Sequence, residues 1–328
     1  MTLLKKPTLK EIYAPIEADL SVFASALKKE LASHDPLIQE IHEHLLKMTG
    51  KFLRPALTIL SSKLEGTANP EVIKLAVLIE LLHTATLIHD DVIDNSELRR
   101  NQPSVFSKWG REISIVSGDY LYAKAFVILA GFKNVRLYEA LAECARTMCE
   151  GEMKQIEKRN DFLMSEDTYL RIIRQKTAAL FQAACMGGAY FSGMAMPRVE
   201  KMGRVGYNLG MAFQIVDDCL DIVGTTEALG KTTGLDILKN DVTLPALYLF
   251  QTLKETERRS LFKRMEEAAP VLFEEIKNLA LETKSVDRAM AKARGYLEEA
   301  LIELSVIGES RCKESLQNLA YHCLDRVR

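Results

Sequence analysis

Asp90-Asp91-Val92-Ile93-Asp94 and Asp217-Asp218-Cys219-Leu220-Asp221 are two clusters of one design, each set in a strongly apolar stretch of the chain. Helical residues four apart share a face with ~6 Å of rise between them, so Asp90 aligns with Asp94 and Asp217 with Asp221. Carboxylates gathered on a core helix repel one another and lose hydration, a cost that a bound cation removes. Oxygen ligands with no His or Cys among them suit Mg²⁺, which keeps several waters and takes one or two carboxylates together with substrate phosphates.

Basic residues follow each cluster. In LIELLHTATLIHDDVIDNSELRR, His83 falls on the stripe of Asp90, Asp91 and Asp94, and Arg99 and Arg100 come just past it. Guanidinium is the best bidentate partner for phosphate oxygens, so an anion binder adjoins a metal binder. A solvated acidic turn with a compensating Arg pair is the plain alternative, opposed by the apolar flanks Ala85 to Ile88. Gln214 extends the second stripe through Asp217, Asp218 and Asp221, and Lys231 sits in a Gly-flanked loop from which it could reach back or simply be solvated. Lys51 and Arg54 lie three apart at a helix start, where backbone amides also favour an anion. Lys176 and Thr177 stand where a charged helical segment turns apolar; a partly buried ammonium there needs an anionic partner, either a substrate or a structural acid. Glu80 and His83 have the spacing of di-iron bundles, but those sites need two such motifs and none of the six histidines supplies a second.

The elements that carry these residues are helical. Between Pro and Gly joints lie segments with apolar residues three and four apart, Glu71 to Asp94 being typical, with Pro70 placed to open it. Similar reading gives helices near 8–33, 36–48, 55–65, 113–131, 134–158, 166–191, 198–222, 242–253, 268–282 and 286–306, and strand patterns are nearly absent. A single all-α domain over residues 1–328 is expected. With 43 basic and 45 acidic residues the chain offers no long-range field for nucleic acid. The six cysteines form no CxxC pair and read as buried free thiols of a reducing compartment. No stretch approaches the ~18 uninterrupted apolar residues of a membrane span, so no transmembrane segment and a cytoplasmic location are expected.

Taken in order, GKxxRP, HTATLIHDDVIDNSELRR, KTAALF, FQIVDDCLDIVG, GKTTG and TLP resemble the trans-isoprenyl diphosphate synthases, over roughly residues 49 to 245. The resemblance implies an all-helical, isoprenoid synthase-like bundle around a central cavity, usually a homodimer, and three Mg²⁺ ions held with an allylic diphosphate. It makes Asp90, Asp91, Asp94, Asp217, Asp218 and Asp221 the metal-side acids. Lys51, Arg54, His83 and Arg100 become contacts for isopentenyl diphosphate. Arg99, Lys176 and Lys231 become contacts for the allylic diphosphate, with Thr177 and Gln214 steadying the allylic cation.

Three positions depart from the family's usual pattern: Asn101 where Gly is common, Phe106 where Asn often stands, and Asp241 where a Lys usually precedes TLP. The last removes a phosphate contact and adds a negative charge, so either Lys239 substitutes or the allylic group is held less tightly. The family stops chain growth with aromatic residues four and five positions before the first Asp; here they are Thr86 and Ala85, which implies a long-chain product, with a short-chain synthase as the alternative. A terpene cyclase would carry a different second metal motif, and a non-catalytic subunit would have lost acidic clusters or the Arg pair.

Overall fold

The computed structural model describes residues 7–48, 50–65, 69–224, 234, 237 and 239–324. The helices in chain order are α1 (Leu9–Tyr13), α2 (Glu17–Glu30), α3 (Pro36–Lys47), α4 (Leu53–Ser62), α5 (Glu71–Ile93), α6 (Val105–Gly131), α7 (Val135–Glu157), α8 (Glu166–Ile173), α9 (Ala179–Phe191), α10 (Met196–Val223), α11 (Leu244–Thr252), α12 (Glu255–Ala268), α13 (Phe273–Glu282), α14 (Ser285–Ser305) and α15 (Arg311–Leu324). A short antiparallel hairpin, β1 (Leu98–Arg99) and β2 (Gln102–Pro103), stands between α5 and α6. The all-α expectation holds.

Several boundaries differ from those read in the sequence. The helix expected over 8–33 breaks at a 3₁₀ turn, Ala14–Ile16, because Pro15 has no N–H to donate. The helix expected over 166–191 is interrupted by a π-helical turn, Arg174–Ala178. The expected list also lacks α12 and α15; in α12 the apolar signal is confined to a narrow stripe, Leu261 and Met265, in an otherwise charged sequence. Of the six free thiols Cys149 is exposed, and the other five are buried as expected.

The chain packs as two compact units, Met1–Ala145 with Leu180–Gly206 and Leu301–His322, and Arg146–Ala179 with Tyr207–Ala300 and Cys323–Arg328. In the first, α5 is the central element and packs on α6, α4 and α2. It is apolar around much of its circumference, with Val72, Leu75, Leu78, Ile79, Leu82, Ala85 and Ile88 all buried, as a core helix must be. Asn69 Oδ1 accepts the amide of Glu71 at its start, and Asn95, at φ 48°, turns the chain out of the helix after Asp94. Close approach of α6 needs Gly118, since a Cβ there would lie 2.3 Å from Nε2 of His89. His89 in turn bonds the carbonyl of Ile115, so this histidine locks α5 to α6 and is not a metal ligand by default.

Two helices, α5 and α6, are long and apolar enough to cross a membrane by length and composition alone, although polar residues interrupt both. For α5 the reason is its place in the core, with 61% of the apolar window buried; for α6 only 28% is buried, and Val116 and Val127 stand exposed.

In the second unit a core of Met211, Ile215, Val216, Leu220 and Ile222 from α10 meets Phe162, Tyr169, Leu244, Tyr248 and Ala289. Burying each large side chain contributes ~1.5–3 kcal/mol, so the acids between them on α10 are held in place by strongly packed neighbours.

Candidate active site

In the first unit, Asp90 and Asp94 are half-buried at the end of α5, whereas Asp91 is 3% exposed. The hairpin explains how the two arginines are sorted. Arg100 and Asn101 form its two-residue loop with φ of 52° and 60°, the twist that a tight hairpin demands. A long side chain held at positive φ is costly and is the kind of strain that accumulates at functional sites. Arg99 Nε and Nη2 donate to Asp91 Oδ1 at 3.0 and 2.5 Å, while Arg100 Nη1 donates to the carbonyl of Met48. Arg99, expected on the allylic side, is thus an ion-pair partner of Asp91.

About two turns back along α5 from Asp90, His83 Nε2 accepts from Arg54 Nη1 at 3.0 Å. An accepting Nε2 means a neutral ring with its proton on Nδ1. Burial holds the His83 imidazole well below its ordinary value of 6.5, and the positive charges of Arg54, Arg100 and Arg99 push the same way. The unfolded chain therefore binds this proton more readily, so the stability His83 contributes is present above pH 6.5 and is lost as pH falls below it. The loss should approach ~1.4 kcal/mol per pH unit. Denaturant melts between neutral pH and pH ~5 should show a slope that His83→Gln reduces; equal slopes would remove His83 from this account. Lys51 is exposed ahead of α4, where its carbonyl accepts from Tyr13 Oη.

The second unit carries the other cluster, with Asp217 half-buried and Asp218 and Asp221 buried at 4% and 2% exposure. A chain of hydrogen bonds runs through it. Thr177 Oγ1 donates to Gln214 Oε1 at 2.7 Å, Gln214 Nε2 donates to Asp218 Oδ1 at 2.8 Å, and Tyr169 Oη donates to Asp218 Oδ2 at 2.6 Å. Burial pushes the Asp218 carboxyl up; the bonds from Tyr169 and Gln214 oppose this, and the charges of Asp217 and Asp221 add to it. Tyr169 was not anticipated from sequence, since a lone Tyr on α8 gives no signal of its partner.

Lys176 and Thr177 owe their placement to the π-helical turn, a feature that often occurs at functional sites. Gly151 of α7 allows it, because a Cβ there would meet the Lys176 backbone nitrogen at 2.5 Å. Lys176 forms an ion pair with Glu152, the structural acid left open as an alternative above. One turn further along α7, Gln155 Nε2 donates to Asp241 Oδ2, and Arg159 Nε donates to Asp241 Oδ1, each at 3.0 Å. The unusual acid at 241 is thus buried and compensated locally. Lys231 lies outside the described residues.

Every candidate ligand is a carboxylate, and among the described residues no three His, Cys, Asp or Glu side chains converge as a metal cage. That donor set fits Mg²⁺, which completes its shell with water and phosphate oxygens, better than an ion that needs an all-protein site.

The polyprenyl synthetase family model matches residues 35–279. A heptaprenyl diphosphate synthase component 2 from Geobacillus stearothermophilus is 35% identical, covering 96% of this chain and 98% of its own. A decaprenyl diphosphate synthase from Rhodobacter capsulatus has 33% identity and a TM-score of 0.90, over 98% of this chain and 100% of its own. A polyprenyl synthase from Caulobacter crescentus, complexed with calcium and isoprenyl diphosphate, has 33% identity and a TM-score of 0.92, over 99% of both chains. Helical fold, ordered motifs and this similarity along nearly the whole length agree: the chain belongs to the polyprenyl synthetase family, the trans-isoprenyl diphosphate synthases, and is a prenyltransferase.

Proposed function

We propose that the chain condenses isopentenyl diphosphate with an allylic diphosphate, 1′-4 and trans, in a Mg²⁺-dependent reaction that yields a long-chain polyprenyl diphosphate for a quinone side chain. The observation that carries this reading is that both acidic clusters are built alike, with a half-buried first aspartate beside a buried, bonded second one. Structures of the Rhodobacter and Caulobacter relatives support the long-chain and diphosphate parts of it.

When bound, magnesium would offset the charge that builds on the departing diphosphate. Lys51, Arg54, His83 and Arg100 would hold isopentenyl diphosphate, Arg99 and Lys176 the allylic diphosphate, and Asp90, Asp91, Asp94, Asp217, Asp218 and Asp221 would be the metal-side acids. Thr177 and Gln214 present oxygen dipoles to the allylic cation as its C–O bond ionises, an electrostatic role that requires no protein nucleophile. The isopentenyl double bond then attacks, and a proton leaves with the released diphosphate.

Ala85 is wholly buried, whereas Thr86 is half-buried with its hydroxyl bonded to the His83 carbonyl. A bulky residue therefore has room at 86 and would overpack at 85. Incubation with farnesyl diphosphate, isopentenyl diphosphate and Mg²⁺ should give products of six or more isoprene units, and Thr86→Phe should shorten them. Wild-type product stopping at geranylgeranyl length rejects the long-chain reading; no condensation rejects the function.

The apolar face of α6, with Ile115, Val116 and Val127 exposed, suits a second copy of this chain, and a cytoplasmic homodimer is part of the proposal. A second reading, an unlike partner subunit, is favoured by the Geobacillus relative being one component of a synthase. Activity of the purified chain alone separates the two.

A further inference from the structure

Glu80 is an acid that the reaction above does not use. It lies one turn before His83 on α5, is 7% exposed, and among the described residues makes no hydrogen bond. It faces a cavity that also receives Asp91, Arg99 and Arg100 and is otherwise walled by leucines such as Leu31 and Leu81. A buried carboxyl without a hydrogen bond persists only where neighbouring charge compensates it.

That charge comes from two sides. Arg54 stacks over the Phe181 ring, 4.7 Å from its centroid, with one amine on His83 and its Nε buried without a hydrogen-bond partner. Arg100 is fixed by its strained turn and by the Met48 carbonyl. His83 is neutral, and Arg99 is committed to Asp91, which leaves Glu80, on the cavity wall with Arg100 and one turn from the histidine that Arg54 bonds, as the acid whose charge acts on both guanidiniums. The mutual influence has the expected signs: burial pushes the Glu80 carboxyl up while Arg54 and Arg100 draw it down, and burial lowers Arg54 to about 10 while Glu80 raises it.

We infer that Glu80 is a positioning residue, an internal counter-ion that holds Arg54 and Arg100 in place in the free enzyme and opposes the diphosphate that later occupies them. This rests on the reading that Arg54 and Arg100 bind isopentenyl diphosphate. Glu80 keeps the half-buried Arg54 and the more exposed Arg100 from repelling one another before substrate arrives, and its charge weakens ground-state binding so that the site can empty between elongation cycles.

The two roles give Glu80→Gln an unusual signature. The free protein should melt earlier, yet KM for isopentenyl diphosphate should fall at least about fivefold, the sense expected when a like charge beside an anion is removed. KM for the allylic diphosphate should stay unchanged. Isopentenyl diphosphate alone, without Mg²⁺ or allylic substrate, should raise the melting temperature of Glu80→Gln by more than it raises that of wild type. Glu80→Asp, which keeps the charge, should behave as wild type in KM. A merely structural acid would give a KM for isopentenyl diphosphate that is unchanged or higher in Glu80→Gln, and that result overturns the inference. If Glu80→Gln alone does not fold, Glu80→Gln/Arg100→Gln compared with Arg100→Gln makes the same test, with a lower KM in the double variant expected and an equal or higher one overturning it. Wild type that neither condenses the substrates nor responds to isopentenyl diphosphate overturns the underlying reading and this inference together; turnover by wild type with no fall in KM overturns this inference alone.

Discussion

Asp90→Asn and Asp217→Asn should each lower kcat by about 10²–10³-fold with little change in melting temperature, the scale set by losing one preorganised electrostatic contact to the leaving group. Asp91→Asn and Asp218→Asn should instead show in stability. In each cluster the first aspartate keeps partial exposure, and the second is enclosed and bonded, Asp91 by Arg99 and Asp218 by Gln214 and Tyr169. Replacing Asp91 leaves the Arg99 guanidinium without its carboxylate. A fully buried pair so broken costs ~3–5 kcal/mol, and since Arg99 is 29% exposed the loss here should be nearer ~2 kcal/mol. For Asp218→Asn both hydrogen-bond partners stay in place, but Tyr169 or Gln214 must turn a group to suit the amide, at ~1–3 kcal/mol for any buried donor left unmatched. Steady-state kinetics at saturating Mg²⁺ and thermal melts of the four variants decide it. Wild-type kcat in Asp90→Asn, or an unchanged melting temperature in Asp91→Asn, would dismantle this division of labour.

That division was only half legible in the sequence. Type and spacing identified both clusters and the helices that carry them, because the acids break apolar stretches whose period is strong. Burial within a cluster is a tertiary property: Asp90 and Asp91 look equivalent as letters, and only the hairpin that returns Arg99 onto Asp91 separates them. The hairpin itself was hidden because Arg-Asn is a poor-looking turn, though both residues adopt the left-handed conformation there. The π-helical turn at Arg174–Ala178 was equally invisible, since it depends on Gly151 of another helix admitting the extra residue. Lys176 illustrates the limit from the other side. Its need for an anionic partner followed from the sequence, and Glu152 could be identified as that partner only once the helices were placed.

Asp241→Lys should destabilise the protein and bring no gain in allylic affinity, although restoring the family's usual lysine looks from sequence like a repair. Asp241 is 8% exposed and spends both carboxylate oxygens on Gln155 and Arg159. Nearby, the amide of Asn160 donates to the Asn240 carbonyl at 3.1 Å and Asn240 Nδ2 donates to Asn160 Oδ1 at 2.8 Å, so the chain after α7 is fastened along the segment that ends in Asp241. A lysine at 241 would set a second cation against Arg159 and leave Gln155 without its acceptor. With Arg159 23% exposed, the loss should be ~2–4 kcal/mol, somewhat below that of a fully enclosed pair. The sequence expectation of weakened allylic binding assumed that the charge at 241 acts on substrate; in the structure it acts on Arg159. Arg159→Glu combined with Asp241→Lys inverts the pair and should recover most of the lost stability, whereas each single change should not. A soluble Asp241→Lys protein with wild-type melting temperature and a lower KM for the allylic diphosphate would return the residue to the substrate and undo the assignment of Asp241 to its arginine.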